Sequence, residues 1–174
     1  MAEDNQKQDL SVTTSSILEI RRIEAGILKQ VYDSLCERYG KTEAREVLAQ
    51  TISKAAIAQG KQLAELVEGK PDLDDFMEIM QMWTRNGALE IDVLESNANQ
   101  VNFNVTRCKY ADMYKEMGLK DIGDILSCNR DGLFCVGYND DIEFERTQTI
   151  MGGASHCDFR YSLDTAKSDS GGKD

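Results

Sequence analysis

Three short runs in the second half of the chain hold most of the side chains that could do chemistry. They are Ser127-Cys128-Asn129-Arg130-Asp131, Glu145-Arg146-Thr147-Gln148-Thr149 and Gly152-Gly153-Ala154-Ser155-His156-Cys157-Asp158-Phe159-Arg160-Tyr161. Thiols, carboxylates, guanidinium groups and the single histidine follow one another here. A Gly-Gly pair beside them lets a ligand approach the backbone closely. The grouping points to a small-molecule site.

Spacing constrains what these groups can do together. Alternate side chains of a strand face opposite ways, which puts His156, Asp158 and Arg160 on one face and Cys157, Phe159 and Tyr161 on the other. His156 and Cys157 are therefore no nucleophile–base pair unless a bulge near Gly152-Gly153 turns them. An activated Cys157 would take its partner from elsewhere, with Asp131, Glu143 and Glu145 available.

Three readings of Cys108, Cys128 and Cys157 stand open. One of them attacks an electrophilic carbon as a thiolate, its pKa lowered by Arg130, Arg146 or Arg160. Or the three bind zinc, with His156 or a carboxylate closing a structural site, or water completing a hydrolytic one. Or they are small buried apolar residues, the reading that suits Cys36 and Cys135. Arg130 beside Asp131 is an ordinary ion-pair signal, and its clustering with Asn129 suits the grip on a small carboxylic acid.

The elements that must position these groups follow from their periods. Residues 1–14 are polar and aperiodic and read as a disordered tail. Ile17, Ile20, Ile27, Val31 and Leu35 recur at helical spacing behind a Ser15 or Ser16 cap, up to Tyr39-Gly40. Arg21-Arg22 on this helix could clamp an anion, but a solvated face is the commoner use. A second helix starts near Thr42 and carries Ala44, Val47, Leu48, Thr51, Ile52 and Ala55 on one side. Asp72 follows the only proline, Pro71, and caps a third helix through Phe76, Ile79, Met80 and Trp83, ending near Asn86-Gly87. Met80 and Trp83 could line a ligand pocket, but at that spacing core is the commoner use.

Then the period falls to two. Leu89, Ile91 and Val93, followed by Val101, Phe103 and Val105, predict a hairpin turning at residues 95–99. Short helices are expected at Tyr110–Met117 and Asp121–Cys128, and residues 132–138 could be helix or strand. Ile142 to Gln148 and His156 to Leu163 read as the third and fourth strands, before a tail at residues 164–174. Helices first, then an antiparallel sheet interrupted by short helices, is an α+β arrangement, with residues 15–163 as one domain.

The chain has 174 residues, 41% of them hydrophobic, enough to bury one substantial core. Its net charge of −11 repels phosphate backbones and anionic lipid, so neither nucleic acid nor a membrane surface is an expected partner. That leaves room for a local basic pocket. No apolar run approaches a membrane span, and Met1-Ala2-Glu3-Asp4 opens without a signal-peptide core. The five cysteines, without a CxxC pair, are expected as free thiols in a reducing compartment, which reads as cytoplasmic.

These runs also resemble the L-2-amino-thiazoline-4-carboxylic acid hydrolase family. The likeness is carried by Cys108, Tyr114-Lys115-Glu116-Met117-Gly118-Leu119, Leu126-Ser127-Cys128-Asn129-Arg130-Asp131, Gly137-Tyr138-Asn139, and Glu145 to Arg160. It extends over residues 15–162, and Arg22-Ile23-Glu24-Ala25 is similar to the family's opening helix. The resemblance implies hydrolytic opening of a cyclic isothiourea, a 2-amino-thiazoline carboxylate, to a carbamoyl-cysteine, a step in cysteine formation. The ending is also similar to ligand-binding domains related to vinyl-reductase and trafficking-complex subunits, which pack helices on an antiparallel sheet. Some of those hold zinc with cysteines, whereas this chain has Thr149 where one such cysteine is expected.

Cys108, Cys128, Asp131, His156 and Cys157 are thus the candidate catalytic residues. Asn129, Arg130, Arg146, Thr149 and Asp158 are the candidate contacts for a small carboxylic acid substrate. Zinc, if bound, would sit on Cys108, Cys128 and Cys157. A homodimer packed through the N-terminal helices is a further expectation. The rival readings are a non-enzymatic sensor on the same scaffold and a protein-interaction module built on the N-terminal helices.

Overall fold

The computed structural model describes residues 15–164, so the tails expected at 1–14 and 164–174 lie outside the described residues except for Asp164. Helix α1 (Ile17–Tyr39) opens on a capping box: Ser16 Oγ accepts from the Glu19 N–H, and the Glu19 carboxylate accepts from the Ser16 N–H at 2.7 Å. Gly40, at φ +86°, turns the chain straight into α2 (Lys41–Ala64), in a region of backbone space that a side chain disfavours. Asp72 starts α3 (Leu73–Thr84) through a second capping box with Asp75. A 3-10 turn at Arg85–Gly87 leads into the sheet.

The hairpin follows as β1 (Leu89–Asn97) and β2 (Gln100–Cys108), then α4 (Lys109–Glu116) and a π-helical turn (Asp124–Cys128). The chain closes with α5 (Arg130–Tyr138), β3 (Ile142–Glu145) and β4 (Cys157–Leu163). All pairings are antiparallel in the order β1-β2-β4-β3, with Phe103 opposite Phe159 and Phe144 opposite Tyr161. The expected α+β arrangement is what the chain adopts. Among the described residues no helix is long and apolar enough to cross a membrane.

Residues 132–138, open between helix and strand, are helical. β3 stops at Glu145 rather than running to Gln148, because the Asp158 carboxylate collects the Thr147 and Gln148 N–H groups (3.0 and 2.8 Å) that further pairing would need. β1 is an edge strand whose register shifts between Val93 and Glu95. Val93, expected on the core side, is consequently 50% exposed. On α1 the apolar stripe is only partly the buried one. Its core line steps by four through Ile17, Arg21 and Ala25, with Tyr32 beyond, while Ile27 and Val31 are exposed. α2 likewise buries Ala44, Leu48, Ile52, Ala56 and Gly60, and Val47 faces out.

One contact fixes where the chemistry-bearing runs end up. A Cβ on Gly137 would meet the Ile57 carbonyl oxygen at 2.0 Å, and one on Gly60 would meet that of Phe134 at 2.3 Å. Helices α2 and α5 therefore touch backbone to backbone. That approach carries the first turn of α5, Arg130-Asp131, up to Gln59 of α2 and Arg21 of α1. The inner face of the sheet packs against α3 and α5, and a second cluster of buried residues lies under α1, α2 and α4.

Candidate small-molecule site

The sheet supplies an aromatic floor. Phe103 and Phe159, opposed across β2 and β4, stack with centroids 4.9 Å apart, and Tyr161 packs against Phe144 at 4.8 Å and Phe76 at 4.7 Å. From α5, Phe134 meets Trp83 of α3 edge-on at 5.5 Å. Between this floor and the helices lies a cavity of about 90 Å3, several times the room one water needs. Its walls are these rings, Phe144 excepted, with Met80, Leu89 and Val105, and its polar end holds Arg21, Gln59, Ser127, Cys128, Arg130, Asp131 and Arg146.

Within that end, Asp131 and Arg146 form an ion pair. Arg146 also donates to the Cys128 carbonyl at 2.8 Å and lies over the Phe159 and Phe144 rings, at 5.1 and 5.4 Å from their centroids. Burial pushes the Asp131 carboxyl up to about 6, against the pull of Arg146, Arg130 and Arg21. Burial also opposes the charge on Arg146, but Asp131 outweighs it and holds that guanidinium above its ordinary pKa. Arg21 is buried; it donates to Glu24 (2.7 Å) and to the Gln59 side-chain oxygen (3.0 Å). Arg130 reaches the same Gln59 oxygen at 3.5 Å, and its Nε is buried without an acceptor.

The three candidate thiols hold their protons more tightly than a free cysteine. Burial pushes Cys108 up to about 11, Cys128 up to about 12, and Cys157 upward as well. All three line the cavity, yet two of them serve the backbone. Cys108 Sγ caps α4 by accepting the Ala111 N–H (3.4 Å), and Cys157 Sγ accepts the Ile150 N–H (3.2 Å). Among the described residues no three His, Cys, Asp or Glu side chains converge as metal ligands. The ligand set considered for zinc is thus not assembled.

The remaining candidates do not line the cavity. Asp158 occupies the opposite side of β4 from the buried Cys157, Phe159 and Tyr161, and His156, expected to open that strand, lies in the bend before it. His156 contacts the Gln148 side chain (3.0 Å) and Ser155 Oγ (3.0 Å). Asp158 accepts from the Thr147 and Gln148 N–H groups and the Thr147 hydroxyl. Arg160 is spent on the Phe103 and Phe159 carbonyls. Thr149 Oγ1 accepts the Gly152 N–H within its own turn, and Asn129 is exposed. Sequence reasoning passed over Gln59 and weighed Arg21 as an anion clamp only behind the commoner solvated face. The signal for Arg21 was its place four residues from both Ile17 and Ala25, on one helical line.

Fold and site define an α+β domain with a cavity between sheet and helices, aromatic at one end and guanidinium-rich at the other. The chain belongs to the L-2-amino-thiazoline-4-carboxylic acid hydrolase family, whose pattern matches residues 20–161. Among curated proteins, none matches it in sequence. Its fold is similar to that of the phenol-responsive sensory domain of the transcription activator PoxR, crystallised with phenol. The TM-score is 0.50 at 13% identity, over 82% of this chain and 74% of that one.

Proposed function

We propose that the cavity binds a small, flat cyclic amidine carboxylic acid of the 2-amino-thiazoline-4-carboxylate type and opens its ring by hydrolysis. The observation that carries this reading is Asp131: a carboxylate at the edge of an apolar cavity, raised to about 6 and steadied by Arg146. A group with that pKa can take and return a proton near neutral pH. In the proposed step a water oxygen bonds to the amidine carbon while Asp131 accepts the water's proton. The C=N π pair moves onto the ring nitrogen, which takes that proton back from Asp131. The carbinol then collapses to C=O, the ring C–N bond breaks with its electron pair on nitrogen, and Asp131 relays the hydroxyl proton to that nitrogen. The product is the ring acid plus one water. The family match supports the substrate class, and the aromatic walls suit a flat ring.

Thiolate attack from Cys108, Cys128 or Cys157 is the competing route, and it must overcome the burial that keeps those protons on. The test is turnover of L-2-amino-thiazoline-4-carboxylate followed by mass spectrometry, on the unaltered chain, Asp131→Asn and the three single Cys→Ser variants. A product heavier by one water, lost in Asp131→Asn and retained in the Cys→Ser variants, supports general-base hydrolysis. Loss in one Cys→Ser variant alone transfers the chemistry to that thiol.

A sensor without turnover is the second reading, favoured by the likeness to a phenol-responsive sensory domain and by the mainly apolar walls. Stoichiometric retention of the ring acid with no product would select it.

A further inference from the structure

Three guanidinium groups reach the polar end of the cavity, and they are not equally occupied. Arg146 is fully engaged by the Asp131 carboxylate, the Cys128 carbonyl and two ring faces. Arg21 and Arg130 instead converge on one neutral oxygen, that of Gln59, at 3.0 and 3.5 Å. Glu24 pairs with Arg21, but Arg130 has no ion pair among the described residues, and its Nε is buried without an acceptor. With Asp131 and Glu24 as the only carboxylates in these contacts, the three guanidinium groups leave one positive charge in excess. That excess sits inside a chain of net charge −11. Burial and the neighbouring Arg21 together pull Arg130 down to about 10, the mark of a cation short of negative charge.

We propose that Arg21 and Arg130, bridged by Gln59, form a subsite for the carboxylate of a small ring acid. The Gln59 oxygen stands where a ligand oxygen would sit, and a carboxylate there makes charge-assisted hydrogen bonds that an amide cannot match. The choice of a ring acid rests on the function proposed above; the anion subsite itself rests on the unmatched guanidinium pair. Arg21, Gln59 and Arg130 also line an open groove between α1 and α2, so these three side chains stand between the cavity and that groove. The carboxylate end of the ligand then faces the groove, and the ring points toward Asp131 and the aromatic floor.

Equilibrium binding of two matched pairs of probes tests this. The first pair is L-2-amino-thiazoline-4-carboxylate and 2-amino-2-thiazoline, which lacks the carboxylate. The second is benzoate and benzamide. The unaltered chain is expected to prefer each carboxylate by about tenfold or more. Arg130→Met and Arg21→Met, which keep an apolar stem, are expected to erase the preference while leaving the uncharged probes bound as before. Gln59→Glu places a carboxylate of the chain's own between the guanidiniums. It is expected to raise the melting temperature and weaken carboxylate binding by about tenfold, a readout that holds even if the arginine variants fold poorly.

No preference for carboxylates in the unaltered chain overturns the subsite. So does undiminished carboxylate binding in Gln59→Glu. Preferential binding without turnover keeps the subsite and removes the hydrolase reading. Turnover without any carboxylate preference does the reverse.

Discussion

Asp131 and Asp158 are the same side chain put to opposite uses. Asp131 faces the cavity from the first turn of α5, where burial raises it to about 6 although three guanidinium groups pull the other way. Asp158 stands on the outer face of β4. Slight burial would raise it too, but hydrogen bonds from Thr147 and Gln148 prevail and hold it below the usual carboxylate range. The inner group can exchange a proton near neutral pH, while the outer one is a lasting anion that pins the turn after β3. Solvation and hydrogen bonding, more than sequence neighbours, decide which role a carboxylate takes.

The comparison breaks most visibly at Asp131. Asp131→Asn cannot accept a proton and is expected to lower ring-acid turnover by at least about 100-fold in initial-rate assays. Arg146→Met sharpens the same point. The proposed step uses the ionised carboxylate, so turnover of the unaltered chain is expected to rise with pH through about 6. Without Arg146 the Asp131 pKa climbs, so this limb moves to higher pH. A shift of one unit would cost about fivefold in rate at pH 6 and hardly anything at pH 8.

On the outer face, Asp158→Asn is expected to leave turnover within about twofold and to cost about 1 kcal/mol. That corresponds to a melting point lower by about 2–4 °C. The two carboxylates also differ in how they couple stability to pH. Asp158, with a lowered folded-state pKa, stabilises above the ordinary value of 3.8, and its contribution is lost as pH falls through the lowered value. Asp131 works the other way, because the folded chain holds its proton more tightly. Its contribution shrinks as pH rises from 3.8 through about 6. Melting curves of the two Asn variants against pH should show slopes of opposite sign removed.

The smallest effect belongs to His156. His156→Ala is expected to change stability by about 0.5 kcal/mol or less and turnover hardly at all. A collapse of activity in that variant would put the chemistry on the outer face and end the comparison.

Local rules carried much of this architecture. Ser16 and Asp72 are caps because their oxygens lie within reach of the first free N–H groups. The alternation of β4 placed Cys157, Phe159 and Tyr161 inside and Asp158 and Arg160 on the other face before any contact was known. The run from Ser127 to Asp131 does meet Arg146 in space. Long-range effects were beyond such rules. Whether Cys128 is a thiol or a thiolate depends on burial supplied by other segments. The end of β3 depends on Asp158, eleven residues past Thr147. Arg21 looked like one of a charged surface pair, yet only Arg22 has that role, beside Glu116 at 3.6 Å.

Arg146 is held at position 128 by a main-chain oxygen, through the carbonyl at the end of the π-helical turn. Every amino acid brings that oxygen. Evolutionary drift at this position can therefore reshape the cavity wall without loosening the arginine. The scaffold thereby separates the shape of its cavity wall from the preservation of its charged pair.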